Sequence, residues 1–454
     1  METATKILLA KRSMLALCIG TVLVATSDAS ARLLPDPTAW AASAPTVVVG
    51  NCDDDGAGSL RDTLLHAAEG DVVDLTQLDC STITLTSGAI VFGQANVGVA
   101  GPGPSALTID ASASAGSSAF YGLNAAGTFH LDGMTVTGGS KYRSDATARG
   151  GCVHVEGNVT LNDVHVVDCF AYSLESALGG GVFAGGVAYL KDSEVTGNYV
   201  QAHLYASGGG VYALGGLQSS HSTIAHNAAA SMTSVPSFGG GAFARGTSFV
   251  DSTTVNANIS DRDGGLGFEP LYGETTTIIS STISGNTATR VGGVLSKTAL
   301  YLYNSTIAFN LSTEWTDGTR QFAGGVYIGA PSVAYSSIIA NNLSPGSPFP
   351  TADVTGADNT GFNGGNNDVM FCGRPCPNDT SHDDPGLHPL ADNGGTTLTH
   401  RPTPGIWDAI GGANPLSLPW DQRGPGFPRQ PVGQALEIGA IQPTTDTIFE
   451  NGFD

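Results

Sequence analysis

The chain has 454 residues, a formal net charge of −22, 62 glycines, 41% hydrophobic residues and only 13% charged ones. So negative a surface repels nucleic acid and anionic membranes, and equally disfavours tight binding of polyanionic polysaccharide unless a local basic groove or bridging Ca2+ exists. An apolar fraction that large with so few charges also excludes a flexible glycine-rich linker, which would have no core to bury.

In chain order, residues 1–31 read as a secretory signal. Lys6, Lys11 and Arg12 precede the apolar run Met14 to Ala25, and an A-x-A site ends at Ala31. The run is shorter than the ~20 residues of a membrane span, and no later stretch qualifies. Cleavage would remove three of the 18 basic and two of the 40 acidic residues and leave six of the seven cysteines. An even number in an exported protein favours disulfides, and sequence neighbours suggest Cys52–Cys80, Cys152–Cys169 and Cys372–Cys376. A metal site would want a ligand spacing that "CGRPC" lacks. Residues 32–46 are a linker, and 47–100 form an N-terminal cap with the first strands. Within the cap, Ser59 and Asp62 resemble a capping box ahead of a short helix whose apolar face is Leu60, Leu64, Leu65 and Ala68.

The stretch 101–343 carries two markers that keep one period. Glycine motifs start at Gly150 (GGCVH), Gly179 (GGGVF), Gly208 (GGGVY), Gly239 (GGGAF), Gly264 (GGLGF), Gly292 (GGVLS) and Gly324 (GGVYI). A second motif follows each in turn, with Ser193, Ser222, Ser252, Ser281, Ser305 and Ser336, and Asn five places later at Asn198, Asn227, Asn286, Asn310 and Asn341. Each unit holds apolar runs of strand length and no helical periodicity, which leaves an all-β solenoid: a right-handed parallel β-helix of about 29 residues per rung. Stacked Asn amides are expected to hydrogen-bond from rung to rung. Cys152 replaces the third glycine of its motif and Cys169 replaces the ladder Asn, which supports a staple within one coil. Residues 344–443 are a loop-rich C-terminal region, and 444–454 an acidic tail.

"NCDDDGAGSLRDTLLHAAEGDVVDL", the GG-V and STISGN repeats, and "LADNGGTTLTHRPTPGIWDAIGG" followed by "DQRGPGFPRQPVGQALEIGA" resemble exported bacterial β-helix proteins with a choice-of-anchor Q type C-terminal region. The repeats are also similar to those of polymorphic outer membrane proteins and share a fold with the pectate-lyase-like superfamily. The resemblance implies an extracellular or outer-surface location; the fold does not bring a chemistry with it. Near Trp407 this sequence departs from the family pattern but keeps Asp408.

For chemistry, the best local candidate is "DRDGG". Asp261, Arg262 and Asp263 sit in the rung whose Asn marker is displaced, where two carboxylates could hold Ca2+ beside a base; a solvated turn with a local ion pair is the plainer reading. Asp53 to Asp55 and Asp383–Asp384 lie in turn contexts, and His221 with His226 lack a third zinc ligand. Asp392, His400, Asp421, Arg423 and Glu437 belong to the resembling C-terminal segment, where buried turn and ion-pair roles account for them. These features favour a structural, adhesive or interaction scaffold with surface glycans or proteins as partners and no resident cofactor. The alternative is a polysaccharide lyase or glycoside hydrolase.

Overall fold

The computed structural model describes residues 44–313, 322–345, 353–358, 360–373, 375–378, 380–403, 414–429 and 436–442. All of them belong to the compact unit Pro37–Asp454; the other unit, Met1–Asp36, lies outside them. The secretory signal, most of the linker, Trp407–Asp408 and the tail 444–454 are likewise outside the described residues.

The chain winds as a parallel β-solenoid. Strands pair only with strands one coil away, at steps such as Val153↔Val182↔Val211, and stack into sheets of 22, ten, seven and three strands. Each inward row is a column of like apolar residues. Val166, Val195, Ile224, Val255, Ile283, Ile307, Ile339 and Val369 stack in register, all fully buried. Parallel pairing runs from Thr46–Val48 to Thr380–Ser381, past both ends of the stretch marked by the repeats. Among the described residues no helix is long and apolar enough to cross a membrane.

The helix Leu60–His66 packs against the strands Val72–Asp74 and Ile90–Phe92, with Ser59 at its N-cap accepting from the Asp62 amide at 3.2 Å. Its buried face is Leu60, Thr63 and Leu64, joined by Ala67, whereas Leu65 is 60% exposed. Asp54 binds Arg61 at 2.7 Å and accepts from Thr86 and Ser87, so this acid ties the cap to the next coil.

A buried ladder of six asparagines runs through successive coils. Asn198 donates from both its backbone N and its Nδ2 to Oδ1 of Asn227, at 3.0 and 2.9 Å. The same double bond repeats from Asn227 to Asn258, Asn286, Asn310 and Asn342. It starts at the Cys169 amide and ends on the carboxylate of Asp353, which accepts both bonds from Asn342. Two positions differ from the sequence expectation. Asn341 is not in the ladder, and the displaced rung is not empty, because Asn258 fills it. The reason is one extra residue in each motif, which puts Ser252 and Ser336 in the turn and moves the ladder position one place on. The residue before each ladder position is a turn with positive φ, held by Gly197, His226, Ala257, Gly285, Phe309 and Asn341. Serine rows shift in the same way. Ser252 and Ser336 take the positive-φ turn, while Thr253 donates its amide to Ser281 and Ser337 accepts from Ser305. His221 and His226 are two such turn residues.

The disulfides join Cys52–Cys80, Cys152–Cys169 and Cys372–Cys376. Beyond the last coils the chain folds back over the outer face of the longest sheet. Thr254 donates to the Leu398 carbonyl, Thr282 to Gln422, and Thr306 accepts from the Ala440 amide. His400 bridges Ser284 and the His388 carbonyl, and Asp421 pairs with Arg423. Asp392 accepts from the Gly394 amide in a turn. Arg429 is fully buried and gives its two terminal nitrogens to the carbonyls of Gly439 and Ala440.

Replacing Asn342 by Ala removes the acceptor of two Asn310 donors and the Nδ2 group that donates to Asp353 and to the Ile307 carbonyl. At ~1–3 kcal/mol per orphaned buried group, a loss of several kcal/mol is expected, seen as a lowered thermal midpoint. Asn341→Gly should be near neutral, since only a positive φ is required there. The opposite ranking would move the ladder to Asn341.

Burial pushes the carboxyls of Asp353, Asp263 and Asp368 up, to about 6, 7 and 8, the last with Asp353, Asp383 and Asp384 nearby. The folded chain thus holds protons that the unfolded chain has released, and stability falls as pH rises from about 4 to about 8. His130 and His154, pulled down to about 4 by burial, oppose this only below their ordinary 6.5. The thermal midpoint should therefore fall between pH 6.5 and about 8.5, and Asp368→Asn should flatten the upper part of that fall. An unchanged slope in the variant would refute the assignment.

Candidate functional site

The ten-stranded sheet alternates inward and outward side chains. Between core residues such as Val153 and Val155 the middle residue of each strand faces out, which places Tyr121, His154, Phe183, Tyr212 and Phe243 in one row on successive coils. Tyr121 stacks on His154 at 4.3 Å, and Phe183, Tyr212 and Phe243 stack at 5.7 Å per step with planes 5° and 18° apart. His154 meets Phe183 edge-on. In the next coil the row is broken at Gly267, where an added Cβ would collide with the Asp263 carboxylate.

Although they point away from the core, Phe183, Tyr212 and Phe243 are almost fully buried. They are covered by Leu178, Tyr205 and Phe238, which come from the short three-stranded sheet and the segment bridged to it at Ser207↔Phe238. Outward faces of two consecutive strands pack together only where the solenoid wall bends inward. The aromatic row therefore lines an inside corner.

Cations gather along this corner. Of the twelve Lys and Arg among the described residues, five reach it: Lys141, Arg149, Arg245, Arg262 and Lys297. Lys141, only 8% exposed, lies on the edge strand of its sheet and carries Nζ to 5.6 Å from the Tyr121 ring centre. Arg149 lies 5.0 Å from the centre of Phe183 and binds Glu156 at 3.0 Å, and Arg262 lies 4.9 Å from the centre of Phe238. Arg245 donates to the Tyr212 hydroxyl. Glu269 is shared by Arg262, at 3.2 Å, and Lys297.

The local charges follow from burial. Burial lowers the pKa of the Lys141 ammonium, aided by Arg143. His154 hydrogen-bonds Glu156 at 3.0 Å, yet its burial outweighs that carboxylate and keeps the imidazole neutral near pH 7. Arg149 pairs with Glu156, and Arg262 and Lys297 with Glu269, while Asp263 also feels Arg262 and Lys297 and Glu274 feels Arg245, so cations and carboxylates are mixed at the far end of the row.

Of the sequence candidates, Arg262 belongs to this corner. Asp261 accepts from the amide and hydroxyl of Ser237, and Asp263, wholly buried, accepts from the Gly239 amide. Each carboxylate holds the turn of the preceding coil, so the pair does not flank Arg262 as a shared cation cage. Among the described residues no three His, Cys, Asp or Glu side chains come together as metal ligands. Asp383 pairs with Ser381, and Asp384 accepts from the Gly386 amide. The aromatic row was present in the sequence as the fifth letter of four glycine motifs: GGCVH, GGGVF, GGGVY and GGGAF. Its cations come from separate coils and share no local pattern.

No family model and no curated protein matches this sequence. Among solved structures, the PL6 family alginate lyase AlyGC is similar over 78% of this chain, with 11% identity and a TM-score of 0.31. The chain spans 55% of that protein's length, and a likeness of this size transfers no activity.

Proposed function

We propose that the protein is an extracellular or surface-exposed scaffold that holds an acidic polysaccharide along the inside corner, as a binding protein and not as an enzyme. The observation that carries this reading is the gathering of five cations along one corner, three of them over aromatic rings, in a chain whose net charge is −22. The Phe183, Tyr212 and Phe243 rings are stacked and buried, so a bound chain meets the flanking cations and not the rings. Carboxylates or sulfates meet attraction there from the cations. Single-stranded nucleic acid would need open ring faces for base stacking, and these are occupied. The three disulfides and the secretory reading of residues 1–31 support an oxidising, external setting.

Titration calorimetry of the full chain against polyuronate, sulfated glycan and neutral glucan tests this. Binding of an acidic glycan that weakens with salt, and about tenfold further in Arg149→Ala (~1.4 kcal/mol), is expected. Equal binding of neutral glucan, or no binding of either acidic glycan, would sink the reading. Release of an unsaturated, ultraviolet-absorbing product would replace the scaffold with a lyase.

A further inference from the structure

Going beyond the acidic-glycan reading, we infer that Lys141 is a nucleophilic amine, which captures carbonyl compounds bearing a carboxylate as an imine. Its place in the fold is unusual for a lysine. Lys141 pairs in register with Ala171, and Ala171 in turn with Val200 and Ala229, so it stands in a column of small buried residues. Its strand, Ser140–Arg143, is the last of the seven-stranded sheet, so the lysine begins this column. The apolar stem lies in the column and carries Nζ to 5.6 Å from the Tyr121 ring centre.

The three lysines among the described residues differ in their partners. Lys297 binds Glu269, and Lys191 acts on the carboxylate of Asp132. Lys141, only 8% exposed, has no ion pair and no hydrogen-bond acceptor among the described residues. Its Nζ is not wholly enclosed, however, so the amine stays open to solvent.

The charges closest to it are of its own sign. Arg143 lies two residues on along the same strand, and Lys141 and Arg149 both act on the neighbouring His154. An apolar setting beside other cations favours the free amine, in exchange with the ammonium, and the free amine is the form that attacks a carbonyl carbon. The exposed Arg143 guanidinium, which disfavours the ammonium, would hold a carboxylate on the incoming molecule. In the reaction the amine nitrogen bonds to the carbonyl carbon, the carbon–oxygen bond breaks, and the oxygen leaves as water with both amine protons. No oxidant or further reactant is required.

Carbonyl and carboxylate occur together in a small free oxo acid and at the open-chain end of an acidic sugar chain. The experiment incubates the full chain with cyanoborohydride and, in separate arms, glyoxylate, glycolaldehyde, an oligo-uronate, or that oligo-uronate with its end reduced to the alditol. Peptide mapping by mass spectrometry gives the labelling rate at each lysine, referred to that of free acetyl-lysine. Lys141 should take up glyoxylate about tenfold faster than Lys191 or Lys297, and faster than it takes up glycolaldehyde. Arg143→Ala should slow glyoxylate more than glycolaldehyde. Lys141→Met keeps an apolar stem in the column, so it should fold with little change in thermal midpoint and lose this label. Labelling by the oligo-uronate as well makes the sugar end the source, and labelling by glyoxylate alone makes it a free oxo acid.

Equal rates at the three lysines, or the slowest rate at Lys141, would overturn the inference and leave Lys141 as a cap on its column. Equal uptake of glyoxylate and glycolaldehyde would overturn the selection for a carboxylate. The alditol-ended oligo-uronate cannot form an imine, so its binding tests the acidic-glycan reading separately.

Discussion

A solenoid coil has to meet the next coil at strand spacing around its whole perimeter, corners included. Strands manage this with their own hydrogen bonds, but a corner brings Cβ atoms into collision and turns amides away from partners. Here one device removes both obstacles. A Cβ on Gly180 would stand 2.2 Å from the Gly209 carbonyl oxygen, and one on Gly181 would stand 2.9 Å from the Asn198 side chain. The second glycine of the triplet lets backbone lie on backbone, and the third leaves room for the ladder asparagine, which satisfies the turn amides of its neighbour. Only the first glycine is there for its positive φ. Glycine and asparagine are therefore two halves of one corner.

Stacking of near-identical coils has a consequence on the outside as well. Whatever side chain sits at one outward position has its counterpart one coil away, so rings stack on rings, and like charges would stack on like charges. The first arrangement is favourable and the second is not. The outward row after the ten-stranded sheet accordingly alternates in sign at Arg245, Glu269 and Lys297, and is uncharged at Gly185 and Leu214. Ring faces are consumed by this stacking and by the cations that lie over them, which leaves the flanking guanidinium and ammonium groups as the chemistry on offer.

The fold was legible in the sequence because a period needs no tertiary knowledge. Two markers at one spacing sufficed for the parallel solenoid, and Cys152 and Cys169 fell within one coil. Register at single-residue accuracy was not legible where residues are doubled. In YSSIIANN either serine and either asparagine fits the pattern, and only the alternation of a positive-φ turn with a buried acceptor decides for Ser337 and Asn342. The helix was misjudged at Leu65 for a related reason, since seven residues give too few turns to fix which face is apolar.

What the sequence by itself determined was the coil: its length, its strands, its corner residues, and the stapling of its ends. Those depend on contacts between neighbours one period apart, which a repeat displays openly. Only the tertiary structure decided where the wall bends inward and which side chains share that bend. Lys141, Arg149, Arg245, Arg262 and Lys297 are spread over more than 150 residues, and each looks unremarkable among its own neighbours. They become one electrostatic surface because winding turns a long sequence separation into a few coil heights, and because burial there silences His154 and lowers the Lys141 pKa.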